Sequence, residues 1–180
     1  LSRLGGVLLP TGNAPSALQE LDASSGALDV PGASSLLLAP LLASPGCALR
    51  CLSVCHLSRS GLRSLAQAVS QNATLCTLSL NSNMIYGSAT AHLAQALKGH
   101  EALTSLSLDH NPVLDAGGSA LAAVLPSTRI ASLSLCFTGV ADRTCAALGL
   151  ALGAASCRLR DLKLTGNRVT SAGAGDLAAS

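Results

Sequence analysis

The stretch that decides the fold reads LCTLSLNSNMI from residue 75 to residue 85, and a second copy reads LTSLSLDHNPV from residue 103 to residue 113. Both copies have leucines at their first, fourth and sixth positions, an asparagine at the ninth and an aliphatic residue at the eleventh. In the first copy these residues are Leu75, Leu78, Leu80, Asn83 and Ile85. Because side chains alternate between the two faces of a strand, leucines two residues apart among polar residues predict a short strand buried on one face.

The same pattern recurs along the chain. It returns clearly from residue 159 to residue 169, in a slightly degraded form from 130 to 140, and in two weaker copies upstream. The copies start near residues 18, 49, 75, 103, 130 and 159. The spacing between starts ranges from 26 residues (49 to 75) to 31 residues (18 to 49), and such regularity is the signature of a repeat architecture.

The second half of each copy predicts a helix. A small residue such as Gly117 is followed four positions later by Leu121 and eight positions later by Leu125, and this spacing places residues on one helical face. Each copy therefore predicts a strand, a loop, a helix and a return loop. Stacked copies should pair their strands into a parallel sheet with helices on one side. The expected strand centres are Leu21, Leu52, Leu78, Leu106, Leu133 and Leu162.

On these residues the chain resembles the ribonuclease-inhibitor-like leucine-rich repeat family, whose repeats also occur in NOD-like immune receptors, Ran GTPase activators and Tonsoku-type scaffolds. The resemblance covers residues 18–180 and implies an α/β solenoid shaped like a horseshoe, with a parallel inner β-sheet and outer helices. Residues 1–17 are interpreted as the helix and return loop of a preceding repeat, because Leu4 and Leu8 have helical spacing. Neither end shows a polar capping repeat, so we expect a fragment of a longer array.

Composition narrows the class of protein. Aliphatic side chains must build the core, because 49% of the residues are hydrophobic but only 1% are aromatic. Only 11% are charged and the net charge is +2, so the clustered lysines and arginines of a nucleic-acid-binding surface are not expected. No apolar run approaches the roughly 20 residues of a membrane span. With no recognisable targeting signal, we expect a cytoplasmic protein, with the nucleus as the alternative.

The seven cysteines are scattered over different positions of the repeat, which predicts free thiols in a reducing compartment. The cluster Cys47, Cys51, Cys55 and His56 invites a zinc site. Its spacing differs from the tight two-residue knuckle of structural zinc sites, and Cys47 should lie at the opposite end of the strand from Cys55. No metal site and no cofactor are therefore expected.

Polar residues inside the repeat have structural explanations. The ninth-position asparagines, Asn83, Asn111 and Asn167, fall where the strand ends, and a buried amide can satisfy both the N–H and the C=O groups left without a partner there. We interpret His92 and His100 as ordinary surface residues.

An enzyme is not expected. Cys136, His110 and Asp109 could be imagined as a nucleophile with its base and orienting acid. The concave face of a solenoid, however, offers no enclosed pocket and no obvious oxyanion donors. No phosphate-binding loop is present either, so we expect neither catalysis nor a small-molecule substrate.

The concave face is predicted to bind a protein partner. Positions three, five, seven and eight of each copy should point away from the core, and position five is serine in four successive copies. Phe137, the only phenylalanine, is either an exposed anchor or packs locally over the sheet edge. The predicted binding residues are Asp109, His110, Phe137 and Lys163 at the centre, with Asp22 and Asn81 further along the face.

The sequence therefore predicts a protein–protein interaction module. Two alternatives rest on analogy between folds. One is the regulator of an enzyme, like a GTPase activator. The other is the sensor region of a NOD-like innate immune receptor, which would require a nucleotide-binding domain upstream of Leu1.

Overall fold

The computed structural model describes residues 2–4, 7–9, 18–24 and 33–179. The strands are β1 (Ser2–Leu4), β2 (Val7–Leu9), β3 (Glu20–Ala23), β4 (Cys51–Val54), β5 (Thr77–Ser79), β6 (Ser105–Ser107), β7 (Ser132–Ser134) and β8 (Asp161–Lys163). The helices are α1 (Ala33–Ala43), α2 (Arg59–Gln71), α3 (Gly87–Leu97), α4 (Leu114–Val124), α5 (Asp142–Leu152) and α6 (Ser171–Ala178). A short 3-10 turn, Leu125–Ser127, follows α4.

Strands β3 to β8 form one parallel six-stranded sheet in chain order, and a helix follows each strand. The fourth-position leucines of successive copies lie side by side in the register, as Leu78 does with Leu106 and Leu106 with Leu133. The predicted six parallel strands, each with its helix, are confirmed.

The first residues differ from the prediction. Ser2–Leu4 and Val7–Leu9 pair as antiparallel strands, so they do not form the helix expected from the spacing of Leu4 and Leu8. The sequence between the two strands is Gly-Gly, a pair that strongly favours a two-residue hairpin over a helix. The rest of the segment 1–17 lies outside the described residues.

The core is a set of aliphatic rows between the sheet and the helices. Leu52, Leu78, Leu106 and Leu133 expose at most 1% of their surface, and the helical leucines pack against them from one side. Where helices meet, small residues are required. A Cβ atom added at Gly117 would lie 2.8 Å from the Cβ of Thr90 on α3, which explains the small residue expected at this place in the copy.

The ninth-position asparagines tie each copy to the one before it. The Asn111 side chain donates to the carbonyl of Leu80 at 2.8 Å and accepts the amides of Asn83 and Ile85 at 2.9 Å each. Asn83 does the same one copy earlier, donating to Val54 and accepting from Leu57 at 2.7 Å. The expectation that these amides satisfy backbone groups of both kinds is confirmed.

His100 is buried, which corrects its interpretation as a surface residue, whereas His92 is exposed. The Nδ1 atom of His100 accepts the amide of Leu103 at 3.0 Å. One copy earlier, the Asn72 side chain accepts the amide of Leu75 in the same way. His100 thus closes the return loop, and its burial lowers its pKa.

Two aspartates connect the start of one helix to the start of the next. Asp115 on α4 accepts the amide of Ala141 and both the amide and the hydroxyl of Thr144, and Asp142 accepts the amide and hydroxyl of Thr170. Burial disfavours the charged form of Asp115, but these hydrogen bonds outweigh it and the pKa of Asp115 falls below its ordinary value of 3.8. The bonds from Thr170 also lower the pKa of Asp142.

We predict that Asn111→Ala destabilises the protein by about 3 kcal/mol or more, because it leaves several buried backbone groups without partners. Urea unfolding monitored by circular dichroism measures the change. The control Gln95→Ala, on the exposed side of α3, should stay within about 0.5 kcal/mol of wild type. A loss for Asn111→Ala as small as that of the control would contradict the structural role of the amide.

We predict that Asp115→Asn costs about 1 kcal/mol near neutral pH, as loss of a helix cap does. A carboxylate whose pKa is lowered by folding stabilises the protein above its unfolded-state pKa, and this stabilisation is lost as the pH falls through the folded-state pKa. The gap in melting temperature between wild type and variant should therefore narrow below about pH 4. An equal gap at about pH 7 and about pH 3 would refute this cause.

Candidate functional site

The sheet face opposite the helices is here called the open face. It is lined by serine side chains, whose hydroxyl groups donate hydrogen bonds to polar side chains of adjacent copies. Ser107 donates to Asn81 and Ser134 donates to Asp109, both at 2.7 Å between the oxygen atoms. Ser132 donates to Asp161 at 2.9 Å. The open face therefore carries short side chains, and its polar groups largely satisfy one another's hydrogen bonds.

The seventh position of the copy cross-links neighbouring strands. Asn81 accepts the amide of Asp109 at 2.8 Å, and Asp109 in turn accepts the amide of Cys136 at 2.7 Å. Both side chains are half-buried. Asn81 and Asp109, predicted as partner-binding residues, thus also hold the ends of three successive strands in place.

The eighth position adopts the left-handed backbone conformation in five successive copies. The φ angles are 56° at His56, 57° at Ser82, 58° at His110, 55° at Phe137 and 71° at Gly166. For a residue other than glycine this conformation costs roughly 1–2 kcal/mol. Cross-strand bonds hold the backbone there, since the amides of His110 and Phe137 donate at 2.9 Å to carbonyls of the next copy.

This backbone conformation brings together His110, Phe137 and Gly166, which we call the aromatic stack because two of the three residues are stacked rings. The His110 and Phe137 rings are nearly parallel, with an interplanar angle of 6° and ring centroids 4.8 Å apart. The Phe137 ring also covers the α-carbon of Gly166, where an added Cβ would collide with the ring atoms Cδ1 and Cε1. Phe137 nevertheless exposes 53% of its surface. The ring thus packs locally, as one alternative expected, and also stays accessible.

The other predicted binding residues lie at different distances from the aromatic stack. Lys163 is exposed on β8 and pairs in register with Ser134 of β7. Asp22 lies on β3, at the far side of the sheet, where Ser24 donates to it through its hydroxyl and its amide and lowers its pKa. Contacts therefore connect four of the six predicted residues, which are Asn81, Asp109, His110 and Phe137. Lys163 lies one strand away on β8, and Asp22 is separate from all of them on β3.

Sequence reasoning missed the neighbours that shape this edge. Leu114 exposes 45% of its surface, has a φ of 53°, and its Cδ2 would lie 2.9 Å from a Cβ added at Gly139. Gly139 lies two residues after Phe137, beyond the end of β7, and Gly166 lies beyond the end of β8. A comparison of the copies could have revealed these contacts, because one copy has a glycine at or near the place where the neighbouring copy carries a bulky side chain.

The contacts of the imagined Cys136–His110–Asp109 arrangement are structural. The His110 ring faces Phe137, the Asp109 carboxylate holds the Cys136 amide, and the Cys136 sulfur lies 3.6 Å from the Ser134 hydroxyl. All seven cysteines are free thiols. Within the described ranges, no three histidine, cysteine, aspartate or glutamate residues are grouped to hold a metal ion. Nor is any helix among them long and apolar enough to cross a membrane.

The family models and curated proteins compared with the sequence include none that matches it. Among solved structures, the fold is similar to that of leiomodin-1 actin-binding site 2, with a TM-score of 0.58 and 18% sequence identity. The similarity covers 71% of this chain and 78% of that chain. At this level of identity the similarity concerns the fold alone.

We predict that Gly166→Ala displaces the Phe137 ring from His110, because the new methyl group would occupy the space under the ring. It should also cost about 1 kcal/mol or more, since alanine is strained at a positive φ. Cross-peaks between the two rings in nuclear Overhauser spectra measure the contact, and the single phenylalanine makes the signals unambiguous.

Gly153→Ala is the matched control. Gly153 is the residue that caps the C-terminus of α5, with a φ of −66°, and its added Cβ would make only ordinary contacts at 3.7 Å. This variant should keep the ring cross-peaks and the stability of wild type. Unchanged cross-peaks in Gly166→Ala would show that the glycine does not seat the ring.

Proposed function

We propose that this chain is a protein-binding module of the ribonuclease-inhibitor-like leucine-rich repeat kind, a horseshoe-shaped solenoid that engages its partner along the open face and the adjoining edge. The recurring leucines, the strand and helix in each copy, and the asparagine bonds between copies support this proposal. Stacked units of this kind present one extended surface, which suits recognition of another protein.

The observation that carries the proposal is the Phe137 ring, which is exposed and yet packed against its neighbours. Binding hot spots are enriched in aromatic anchors, and affinity is lost when a side chain must be immobilised on binding. Here the His110 ring on one side and Gly166 on the other already restrict Phe137. A partner would therefore find a preorganised apolar anchor beside a smooth face of serines.

Charged side chains give the proposed surface a direction. Lys163 and the neighbouring Arg160 are exposed at β8 and outnumber Asp161 there, whereas Asp22 and Glu20 are exposed on β3. The partner is accordingly expected to place acidic groups near Lys163 and to avoid them near β3. Leiomodin-1 actin-binding site 2 has the same type of fold and is described as binding a protein, which is a precedent for this use of the architecture.

A reducing compartment suits the proposed module. Cys51, Cys76 and Cys136 are half-exposed free thiols on or beside the strands of the open face. Thiols that are free and accessible persist where glutathione and thioredoxin keep them reduced. We therefore propose a cytoplasmic or nuclear protein.

We predict that Phe137→Ala weakens partner binding by about 2 kcal/mol or more, or roughly 30-fold, as loss of an interface anchor does. Because 53% of the side chain is exposed, the melting temperature should change little. Affinity capture from an extract of the source cells identifies proteins retained by wild type, and calorimetry with the purified partner measures the affinity.

The control for this experiment is Gln95→Ala on α3, which should bind the partner like wild type. A partner held equally by Phe137→Ala would contradict the proposed site. A large drop in the melting temperature of Phe137→Ala would mean that the ring serves mainly the fold.

A further inference from the structure

A groove runs between the N-terminal halves of α2 and α3, away from the aromatic stack. It comprises two adjoining cavities of about 230 and 240 Å³ that share Arg59, Leu62, Ser88 and Ala89. We call it the basic groove. Its floor is apolar, since buried Leu62 and half-buried Ala89 line it.

Both walls carry polar side chains at helical spacing. Arg59 and Arg63 are four residues apart on α2, and Ser88 and His92 are four residues apart on α3, so each pair lies on one face of its helix. Both arginines and His92 are exposed. The described residues that line the groove include no aspartate or glutamate to neutralise the arginines.

The groove has a cause in the sequence. The connection from β4 to α2 spans residues 55–58, whereas the connection from β5 to α3 spans residues 80–86. The copy that starts at residue 49 therefore begins its helix early. In addition, α2 has no acidic residue in its first turn, and so lacks the aspartate through which α4 and α5 bind the start of the following helix.

Apolar side chains extend the groove toward the strand ends. Met84 exposes 69% of its surface and Tyr86 exposes 48%, and both line the first cavity. Met84 is held in the left-handed conformation with a φ of 52°. The surface thus combines an apolar floor, two accessible large apolar side chains and two arginines with no acidic side chain among the described residues that line it.

We propose that the basic groove binds an acidic, extended segment of a partner protein in which carboxylate side chains flank an apolar residue. Guanidinium groups bind carboxylates through paired hydrogen bonds, and the floor formed by Leu62 and Ala89 accepts the apolar side chain. A free phosphate would use the arginines but leave this floor uncovered. The site is separate from the aromatic stack and does not depend on it.

The test uses a fluorescein-labelled peptide of alternating glutamate and leucine, with fluorescence anisotropy as the readout. Wild type should bind it. We predict that Arg59→Glu combined with Arg63→Glu weakens binding at least about tenfold, because two attractive charge pairs become repulsive. The control Lys98→Glu combined with Arg129→Glu makes the same change in net charge at exposed positions elsewhere and should bind like wild type.

Two further comparisons separate the contributions. A glutamate–serine peptide should bind at least about tenfold more weakly than the glutamate–leucine peptide, because it cannot fill the apolar floor. Arg59→Gln with Arg63→Gln removes the charge without reversing it and should show an intermediate loss; circular dichroism checks that each variant is folded. Phe137→Ala should bind the peptide like wild type, so failure of the two sites can be distinguished.

Three outcomes would overturn the proposal. The first is equal weakening by the control pair, which would mean that only net charge matters. The second is equal binding of the serine and leucine peptides. The third is the absence of peptide binding. Vesicles that contain anionic phosphatidylserine are tested in parallel, and binding of these vesicles without binding of the peptide would equally overturn the proposal.

Discussion

The buried asparagine amide at the end of the strand is the interaction on which the rest of the structure depends. A short strand that ends inside the protein leaves backbone donors and acceptors that water cannot reach. Asn111 satisfies such groups in its own copy and in the preceding one. Each copy is therefore held at a fixed offset from its neighbour, and the leucine rows of the core remain in register.

The fixed strand ends determine what the edge can present. Because the backbone turns immediately after the seventh position, the eighth residue is forced into the left-handed conformation. Five successive copies share this backbone geometry, and the side chain in that place decides what each copy presents at the edge. Where histidine, phenylalanine and glycine occupy it in successive copies, as at His110, Phe137 and Gly166, the rings stack and the glycine makes room for them. Accessible apolar surface is thereby concentrated at the edge, beside a face of self-satisfied serines.

The sequence was informative where one physical constraint repeats. The leucine spacing located every strand of the parallel sheet, and the ninth-position asparagines could be assigned their role, because burial and hydrogen bonding impose the same residue type in each copy. Prediction failed where a feature occurs only once in the chain and no repetition marks it. The glycine pair after Leu4 favours a hairpin, and His100 replaces an asparagine-like group in a return loop. The stacking of His110 on Phe137 and the groove beside α2 depend on distances between copies, which spacing along the chain does not contain.

Site-specific photo-crosslinking at position 137 tests the central claim most directly. Benzoylphenylalanine incorporated in place of Phe137 should yield a discrete adduct with one partner protein in the source cells. The same probe in place of Leu150, which is 82% exposed on α5, provides the matched control and should yield no such adduct. An adduct from both positions, or from position 150 alone, would contradict the claim that the edge of the sheet is the binding surface.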